Sequence, residues 1–179
     1  MAHRRSWRTA LITLTAALAA VLVTAPTANA APYCGITWGS LDKTDYSMIG
    51  GYLTGVRAGR HDCYDRLVFD AGGAGVLGYA AYYVPTVIDP ANNRALPTRG
   101  GAYLWVEVPV YVENAGVPTY TTPNPAEAVN VTGYRTFRQV RHVGGMTTFR
   151  QFAIGVRARL PFRVINLGDR LVVDVAHQW

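Results

Sequence analysis

The string Asp-Arg-Leu-Val-Phe-Asp at residues 65–70 returns roughly a hundred residues later as Asp-Arg-Leu-Val-Val-Asp at residues 169–174. A Gly-Val-Arg-Ala tetrapeptide precedes each string, at residues 55–58 and 155–158. In both copies a turn joins an alternating segment to a compact apolar run. The repetition therefore predicts one hairpin-like unit used twice in a pseudo-symmetric, mostly β domain. Two hairpins that converged on similar residues, because strands favour Val, Leu and Phe, are the alternative.

The most regular strand pattern lies at residues 104–112, where apolar residues alternate with larger or polar ones. One face would carry Leu104, Val106, Val108, Val110 and Val112, and the other Tyr103, Trp105, Glu107, Pro109 and Tyr111. Such alternation predicts a strand with one face in the core. Pro109 has no N–H to donate to a ladder, so we expect an edge strand or a bulge at that point.

Two apolar runs, at residues 67–69 and 171–173, lack alternation and predict central strands that are covered on both faces. Two stretches rich in Pro, Asn and Gly predict long loops, Pro85–Gly101 and Asn114–Asn130. Further alternating or apolar segments predict strands at residues 76–84, 131–143, 152–160 and 162–165. The predicted fold class is all-β, a pseudo-symmetric β-sandwich of short antiparallel strands with two long loops.

The N-terminus has the composition of an export signal. Arg4, Arg5 and Arg8 precede an uncharged run, and Ala28-Asn29-Ala30 supplies the small residues that a signal peptidase requires. The predicted organisation is a signal peptide at residues 1–30, an N-terminal segment at residues 31–48 and a domain at residues 49–179. No segment reaches the ~20 apolar residues of a membrane span. Arg4-Arg5 leaves the twin-arginine route open beside general export.

Cys34 and Cys63 are the two cysteines of the chain. Because both lie in the exported part, where thiols oxidise, we expect a disulfide that ties the N-terminal segment to the first hairpin. The formal net charge is +6, but part of it belongs to the predicted signal peptide. An exported protein rarely meets nucleic acid, so we expect the remaining charge to serve weak attraction to anionic envelope polymers, or solubility alone.

Several strings resemble the AMIN-like domain of actinobacterial exported proteins. They include Tyr-Asp-Arg-Leu-Val-Phe-Asp at residues 64–70 and Leu-Val-Val-Asp-Val-Ala-His at residues 171–177, with support from residues 152–157 and 160–164. AMIN domains are non-catalytic β-sandwich modules with internal pseudo-symmetry, found beside envelope enzymes and secretion components and associated with peptidoglycan binding. The resemblance covers roughly residues 50–179 and implies a targeting or binding role at the cell envelope.

Catalytic residues are scarce after the predicted signal peptide. The serines there are Ser40 and Ser47, outside any Gly-x-Ser-x-Gly elbow, and no His-Glu-x-x-His spacing occurs. We therefore predict no enzyme, no cofactor and no metal, with a small hydrolase as the last alternative. Five residues could still form a metal or acid–base cluster if the two copies lie side by side, namely His61, Asp62, Asp65, Asp174 and His177. Hydrogen bonds at strand ends and ion pairs between strands are the structural alternative.

An aromatic surface is the first predicted ligand site. Tyr103, Trp105 and Tyr111 could form a platform for sugar rings, with Glu107 or Glu113 accepting hydrogen bonds from hydroxyl groups. Packing under a loop or a second sheet is the alternative for these rings.

A cationic surface is the second predicted ligand site. Arg57, Arg157 and Arg159, joined by Arg163, could bind carboxylates or phosphates of wall polymers, or form a solvated polar face. The predicted function is thus a secreted or wall-associated, non-catalytic module that binds peptidoglycan or another wall polymer. A module that recognises another exported protein through edge strands and long loops is the alternative.

Overall fold

The structure, a computed structural model, describes residues 32–47, 50–73, 75, 77–145 and 148–179, so the predicted signal peptide lies outside the described residues. The regular secondary structure of those residues is almost entirely β-strand, with one 3-10 turn at Pro125–Glu127. The strands are β1 (Lys43–Asp45), β2 (Tyr52–Arg60), β3 (Tyr64–Gly72), β4 (Tyr79–Val84), β5 (Ile88–Asp89), β6 (Arg94–Ala95), β7 (Ala102–Val108), β8 (Glu113–Asn114), β9 (Val117–Pro118), β10 (Phe137–Gly144), β11 (Arg150–Val156), β12 (Phe162–Asn166) and β13 (Arg170–Ala176).

Two antiparallel sheets form a sandwich around one core. The five-stranded sheet has the order β1-β4-β7-β11-β10, and the four-stranded sheet has the order β12-β13-β3-β2. Side chains of both sheets are fully buried between them, as shown by Phe69 and Phe152, whose ring centroids lie 4.9 Å apart. The prediction of an all-β sandwich is confirmed.

The two copies of the repeated string are β3 and β13, the central strands of the four-stranded sheet. They run antiparallel with Val68 opposite Val172. This register places Arg66 opposite Asp174, and Arg170 opposite Asp70. Each copy therefore faces the other through a local two-fold relation, and the central position predicted for both apolar runs is confirmed.

Each copy of the apolar string lies in a hairpin, β2 with β3 and β12 with β13, but the tetrapeptide belongs to that hairpin only in the first copy. The tetrapeptide at residues 55–58 lies in β2, which forms a hairpin with β3. The tetrapeptide at residues 155–158 begins at the end of β11 in the other sheet, and β13 pairs with β12 instead. The glycines of the two tetrapeptides have different roles. A Cβ at Gly155 would clash with the Arg99 carbonyl oxygen, whereas Gly55 adjoins a bulge in β2.

The strand predicted at residues 104–112 is β7, and neither the edge strand nor the bulge expected at Pro109 is present in the described part of the chain. β7 lies at the centre of the five-stranded sheet and ends at Val108. Pro109 follows the last strand residue, where its missing N–H ends the ladder. The chain then crosses to the other sheet, since Tyr111 forms a bridge with Tyr52 of β2.

Both predicted long loops contain short hairpin strands. Residues 85–101 include β5 and β6 and lie on the outer face of the five-stranded sheet, where Val87 and Leu96 pack with Trp105. We call residues 85–101 the lid. Residues 114–130 include β9 and the 3-10 turn. The lid therefore covers part of a sheet face that would otherwise be open to solvent.

The N-terminal segment follows the edge of the four-stranded sheet. Cys34 and Cys63 form a disulfide, which confirms that prediction. The amide of Phe162 donates to the carbonyl of Gly39 at 2.9 Å, so the segment covers the start of β12. Across the described ranges, no helix has the length and apolar character needed to cross a membrane.

Candidate functional site

The outer face of the four-stranded sheet carries arginines that alternate with aspartates. Asp174 is fully buried and accepts two hydrogen bonds from Arg66, at 2.6 and 2.9 Å, and one from Arg163 at 2.8 Å. Asp70 accepts two from Arg57, at 2.8 and 3.1 Å, while Arg170 lies 3.5 Å away. We call this surface the paired face, because its carboxylates have guanidinium partners within the protein.

Aromatic rings cover the two guanidinium groups that bind Asp174. Arg163 lies over the rings of Trp38 and Tyr64, at 5.4 and 5.3 Å from their centroids, and Arg66 lies 5.3 Å from the centroid of Tyr64. The hydrogen bonds to Asp174 raise the pKa of Arg66 above its ordinary value. The hydrogen-bond donors and the flat faces of Arg66 and Arg163 therefore already have partners within the protein.

The predicted cationic site is divided among several elements. Arg57 belongs to the paired face, whereas Arg157 and Arg159 lie in the segment between β11 and β12. Arg157 donates to the carbonyl of His177, and Arg159 donates to the carbonyl of Ser40 at 3.3 Å and lies over the Tyr83 ring. Each guanidinium has a partner in the protein, and a ligand role for these residues stays a prediction.

The three predicted platform aromatics occupy different environments. Trp105 is only 7% exposed and lies beneath the lid, and its indole N–H donates to Glu107 at 3.0 Å. Tyr103 packs in the same cluster and is half-buried. Tyr111 remains exposed and packs against Tyr52, with ring centroids 5.9 Å apart. Trp105 therefore presents little surface to a ligand. Its partner Glu107 lines a groove beside the lid.

A groove lies beside the lid on the outer face of the five-stranded sheet. Two adjoining cavities, of about 620 and 280 Å³, share Glu107 and Phe149 in their linings. The larger cavity is bounded by lid residues 89–91 and by the end of the β10–β11 hairpin. The smaller cavity is bounded by Tyr79 and by residues 45–47 after β1. We call both together the Glu107 groove.

Glu107 is held in place by its neighbours on β7 and β11. It lies opposite Gln151 in the sheet register, and its Oε1 atom accepts hydrogen bonds from Trp105 Nε1 and Gln151 Nε2, each at 3.0 Å. Its Oε2 atom accepts none from the residues that the structure describes. The carboxylate is therefore oriented by protein donors and keeps one oxygen for a ligand.

Aromatic side chains and further carboxylates surround Glu107. Phe149 is 36% exposed and Tyr46 is 89% exposed. Asp45 and Asp89 also line the groove, and the described lining includes no basic side chain. The pKa of Tyr82 is raised, first by burial and second by the negative charge of Glu107. The groove is aromatic, acidic and open.

The predicted acid–base cluster is separated into different environments. Within the described residues, no three metal-ligating side chains come together. His177 and Asp65 form a buried pair, with Nε2 and Oδ1 3.2 Å apart, and the other Asp65 oxygen accepts from the amides of Thr136 and Phe137 at 2.6 and 3.0 Å. The His61 ring stacks on Tyr64, and Asp174 belongs to the paired face. The buried pair joins β3 and the end of β13 to the start of β10, and so links the two sheets.

The sequence does not mark most residues of the Glu107 groove. Alternation predicts Glu107 only as a hydrogen-bond acceptor beside the three predicted platform aromatics, and no pattern singles out Phe149, Tyr46 or Gln151. Phe149 follows the Gly144-Gly145 turn, and an aromatic residue near a glycine turn is a weak signal for a binding loop. The pairing of Gln151 with Glu107 depends on strand register, which no local pattern reveals.

Comparison with known proteins gives one finding. A family model described as the AMIN-like domain matches residues 51–177. No curated protein and no solved structure matches the chain. Because the family match covers both copies of the repeated string and most of the chain, the protein belongs to the AMIN-like domain family of non-catalytic, cell-envelope-associated modules.

Proposed function

We propose that the protein is an exported module that binds a wall polymer, peptidoglycan in the first instance, in the Glu107 groove. The observation that carries this proposal is an exposed aromatic ring, Phe149, beside a carboxylate that the protein holds in one orientation. Sugar rings pack their C–H faces on aromatic side chains, and their hydroxyl groups donate to carboxylates. The larger cavity, of about 620 Å³, lies in the usual size range of ligand pockets.

Two further observations support an envelope location. The AMIN-like match implies association with the cell envelope. The Cys34–Cys63 disulfide fits an oxidising compartment outside the cytoplasm. Neither depends on the groove, so they support the location independently of the ligand.

Recognition of another exported protein is the second candidate function. β2 lies at the edge of the four-stranded sheet, and its pairing on the outer side consists of the Tyr52–Tyr111 bridge. An extended peptide could add to the remaining edge by backbone hydrogen bonds. The bulge after Leu53 and the side chains of Arg57 and Arg60 oppose such pairing, which ranks this function below polymer binding.

Sedimentation of the exported protein with purified peptidoglycan tests the proposal. We expect retention that weakens but persists between roughly 0.05 M and 0.5 M salt, because contacts with an aromatic ring are not screened, whereas charged contacts with Glu107 are. Phe149→Ala should reduce retention about tenfold, the effect of losing about 1.4 kcal/mol of aromatic contact. Tyr111→Ala is the matched control, since Tyr111 has a similar exposure of 37% and lies outside the groove.

Other outcomes of the sedimentation experiment would favour a different binding surface or a different partner. Retention that salt abolishes, and that Phe149→Ala leaves unchanged, would favour the arginines at positions 57, 157 and 159. No retention at either salt concentration would contradict polymer binding and favour a protein partner.

A further inference from the structure

We infer that the Glu107 groove selects a ligand with a positively charged amino group, carried on a sugar ring or an apolar stem. The inference rests on the proposed function for its biological setting and names the chemistry that this groove recognises. Three features of the groove support it: its charge, its hydrogen-bonding atoms and its aromatic side chains.

The charge of the groove is opposite to that of the chain. The full chain carries a formal net charge of +6 and stays basic without Arg4, Arg5 and Arg8 of the predicted signal peptide. By contrast, Asp45, Asp89 and Glu107 line the groove, and the described lining has no basic residue. The undescribed neighbours along the chain are uncharged by sequence, namely Met48, Ile49, Met146 and Thr147. Arginines near the groove do not line it. Arg94 lies opposite Asp89 in the β5–β6 pairing, Arg141 donates to the Pro97 carbonyl at 2.7 Å, and Arg150 donates to the Gly145 carbonyl at 3.4 Å.

At Glu107, the hydrogen-bonding atom that the protein leaves for a ligand is an acceptor. Trp105 Nε1 and Gln151 Nε2 already donate to Glu107 Oε1. Glu107 Oε2 accepts nothing from the described residues, whereas Gln151 Oε1 is buried and presents no surface to a ligand. The orientation of the Gln151 amide follows from this contact, because the reverse orientation would place two acceptors against each other. A ligand must therefore supply donors.

An ammonium group matches this arrangement better than an acetylated amine. It offers three donors and no acceptor, whereas an acetamido group brings a carbonyl oxygen to a site that already holds acceptors. Phe149 and Tyr46 add ring faces that attract a cation. Asp45 adds to the negative potential of the groove. The pKa of Tyr79 is raised first by the burial of Tyr79 and second by the charge of Asp45. All three features therefore favour the same ligand class.

A pair of soluble ligands tests the inference apart from the wall itself. The probes are glucosamine oligosaccharide and its fully N-acetylated counterpart, which share rings and hydroxyl groups and differ in charge. Calorimetric titration is made at about pH 6, where the amine is protonated. We expect the amine form to bind at least about tenfold more tightly. Because the chain as a whole is basic, its net charge opposes this preference and cannot create it.

Two glutamate variants complete the experiment. Glu107→Gln should remove the preference for the amine form, while Glu113→Gln should keep it, because Glu113 lies on β8 and does not line the groove. Equal binding of the two oligosaccharides, or binding of neither, would overturn the inference. Retention on peptidoglycan that depends on Phe149 would still support the proposed function in that case, so failure of the inference and failure of the function are distinguishable.

Discussion

The two outer faces of the sandwich use carboxylates in opposite ways. On the paired face, Asp174 lies between the guanidinium groups of Arg66 and Arg163 and is fully buried. On the other face, Glu107 is held by two uncharged donors, and no cation accompanies it among the described lining residues. One carboxylate has its positive partner inside the protein, whereas the other does not.

This difference separates carboxylates that stabilise the fold from a carboxylate that is available to a ligand. A buried carboxylate with two guanidinium partners stabilises the register of the strands that carry them, because removing one partner leaves an uncompensated charge. A half-buried carboxylate without a cation contributes little to stability and remains available to a ligand. The same residue type therefore has a structural role on one face and a candidate binding role on the other.

The largest expected effect concerns the ring beneath the lid. Trp105→Ala should lower the free energy of unfolding by about 3–5 kcal/mol, since the buried indole leaves a cavity between β7 and the lid. Urea unfolding measures the change, and Tyr111→Ala, at an exposed ring, should cost about 1 kcal/mol or less. A loss for Trp105→Ala as small as the control would mean that the lid does not cover this face.

The paired face gives the next largest effect. Asp174→Asn should destabilise the protein by about 3 kcal/mol, because Arg66 and Arg163 lose the buried charge between them. Asp70→Asn is the matched control in the other copy of the repeat, where the arginines are more exposed, and should cost about 1 kcal/mol or less. Equal losses would show that the two copies do not differ in the way the structure indicates.

A smaller effect concerns pH and the interior between the faces. His142 is half-buried, its ring stacks on Phe152, and burial and then the charge of Arg150 lower its pKa below the ordinary value of 6.5. The unfolded chain then binds the proton more readily, so stability is complete above pH 6.5 and decreases as the pH falls through that value. Melting temperatures between about pH 7.5 and pH 5.5 should decrease less in His142→Gln than in the parent protein. An unchanged slope would assign the pH dependence to other groups.

The smallest expected effect is at the groove itself. Glu107→Gln should change the free energy of unfolding by no more than about 0.5 kcal/mol, because no ion pair is lost and the amide oxygen can still accept from Trp105 and Gln151. Thermal unfolding of Glu107→Gln and of Asp174→Asn, measured under the same conditions, compares the two faces directly. A loss comparable to that of Asp174→Asn would place Glu107 among the structural carboxylates and weaken its role in binding.

The sequence predicted the β-sandwich, the central strands and the disulfide because each depends on local pattern or on cysteine count. The apolar runs of β3 and β13 show which strands are covered on both faces. The position of the second Gly-Val-Arg-Ala tetrapeptide was predicted wrongly because this sequence is compatible with either sheet. It lies at the end of β11, and β12 takes its expected place beside β13. The edge position predicted for β7 was wrong because the strand ends one residue before Pro109.

The candidate site was predictable only in part. Alternation placed Glu107 and Trp105 on the same face of one strand, and this is correct. Alternation could not show that the lid covers Trp105, or that Phe149 and residues 45–47 converge on Glu107 from distant parts of the chain. Those contacts depend on how the strands are ordered and where the lid folds back, which are properties of the assembled sheet.

The sequence by itself determined the fold class, the disulfide and the family, because strand periodicity, cysteine chemistry and the repeated strings are properties of neighbouring residues. Only the tertiary structure decided which carboxylates have cations and which do not. Arg66 and Asp174 stand more than a hundred positions apart and meet through the register of β3 with β13, whereas Glu107 meets Gln151 through the register of β7 with β11. A carboxylate has a structural or a binding role according to the partners that folding brings to it, and local sequence does not contain that information.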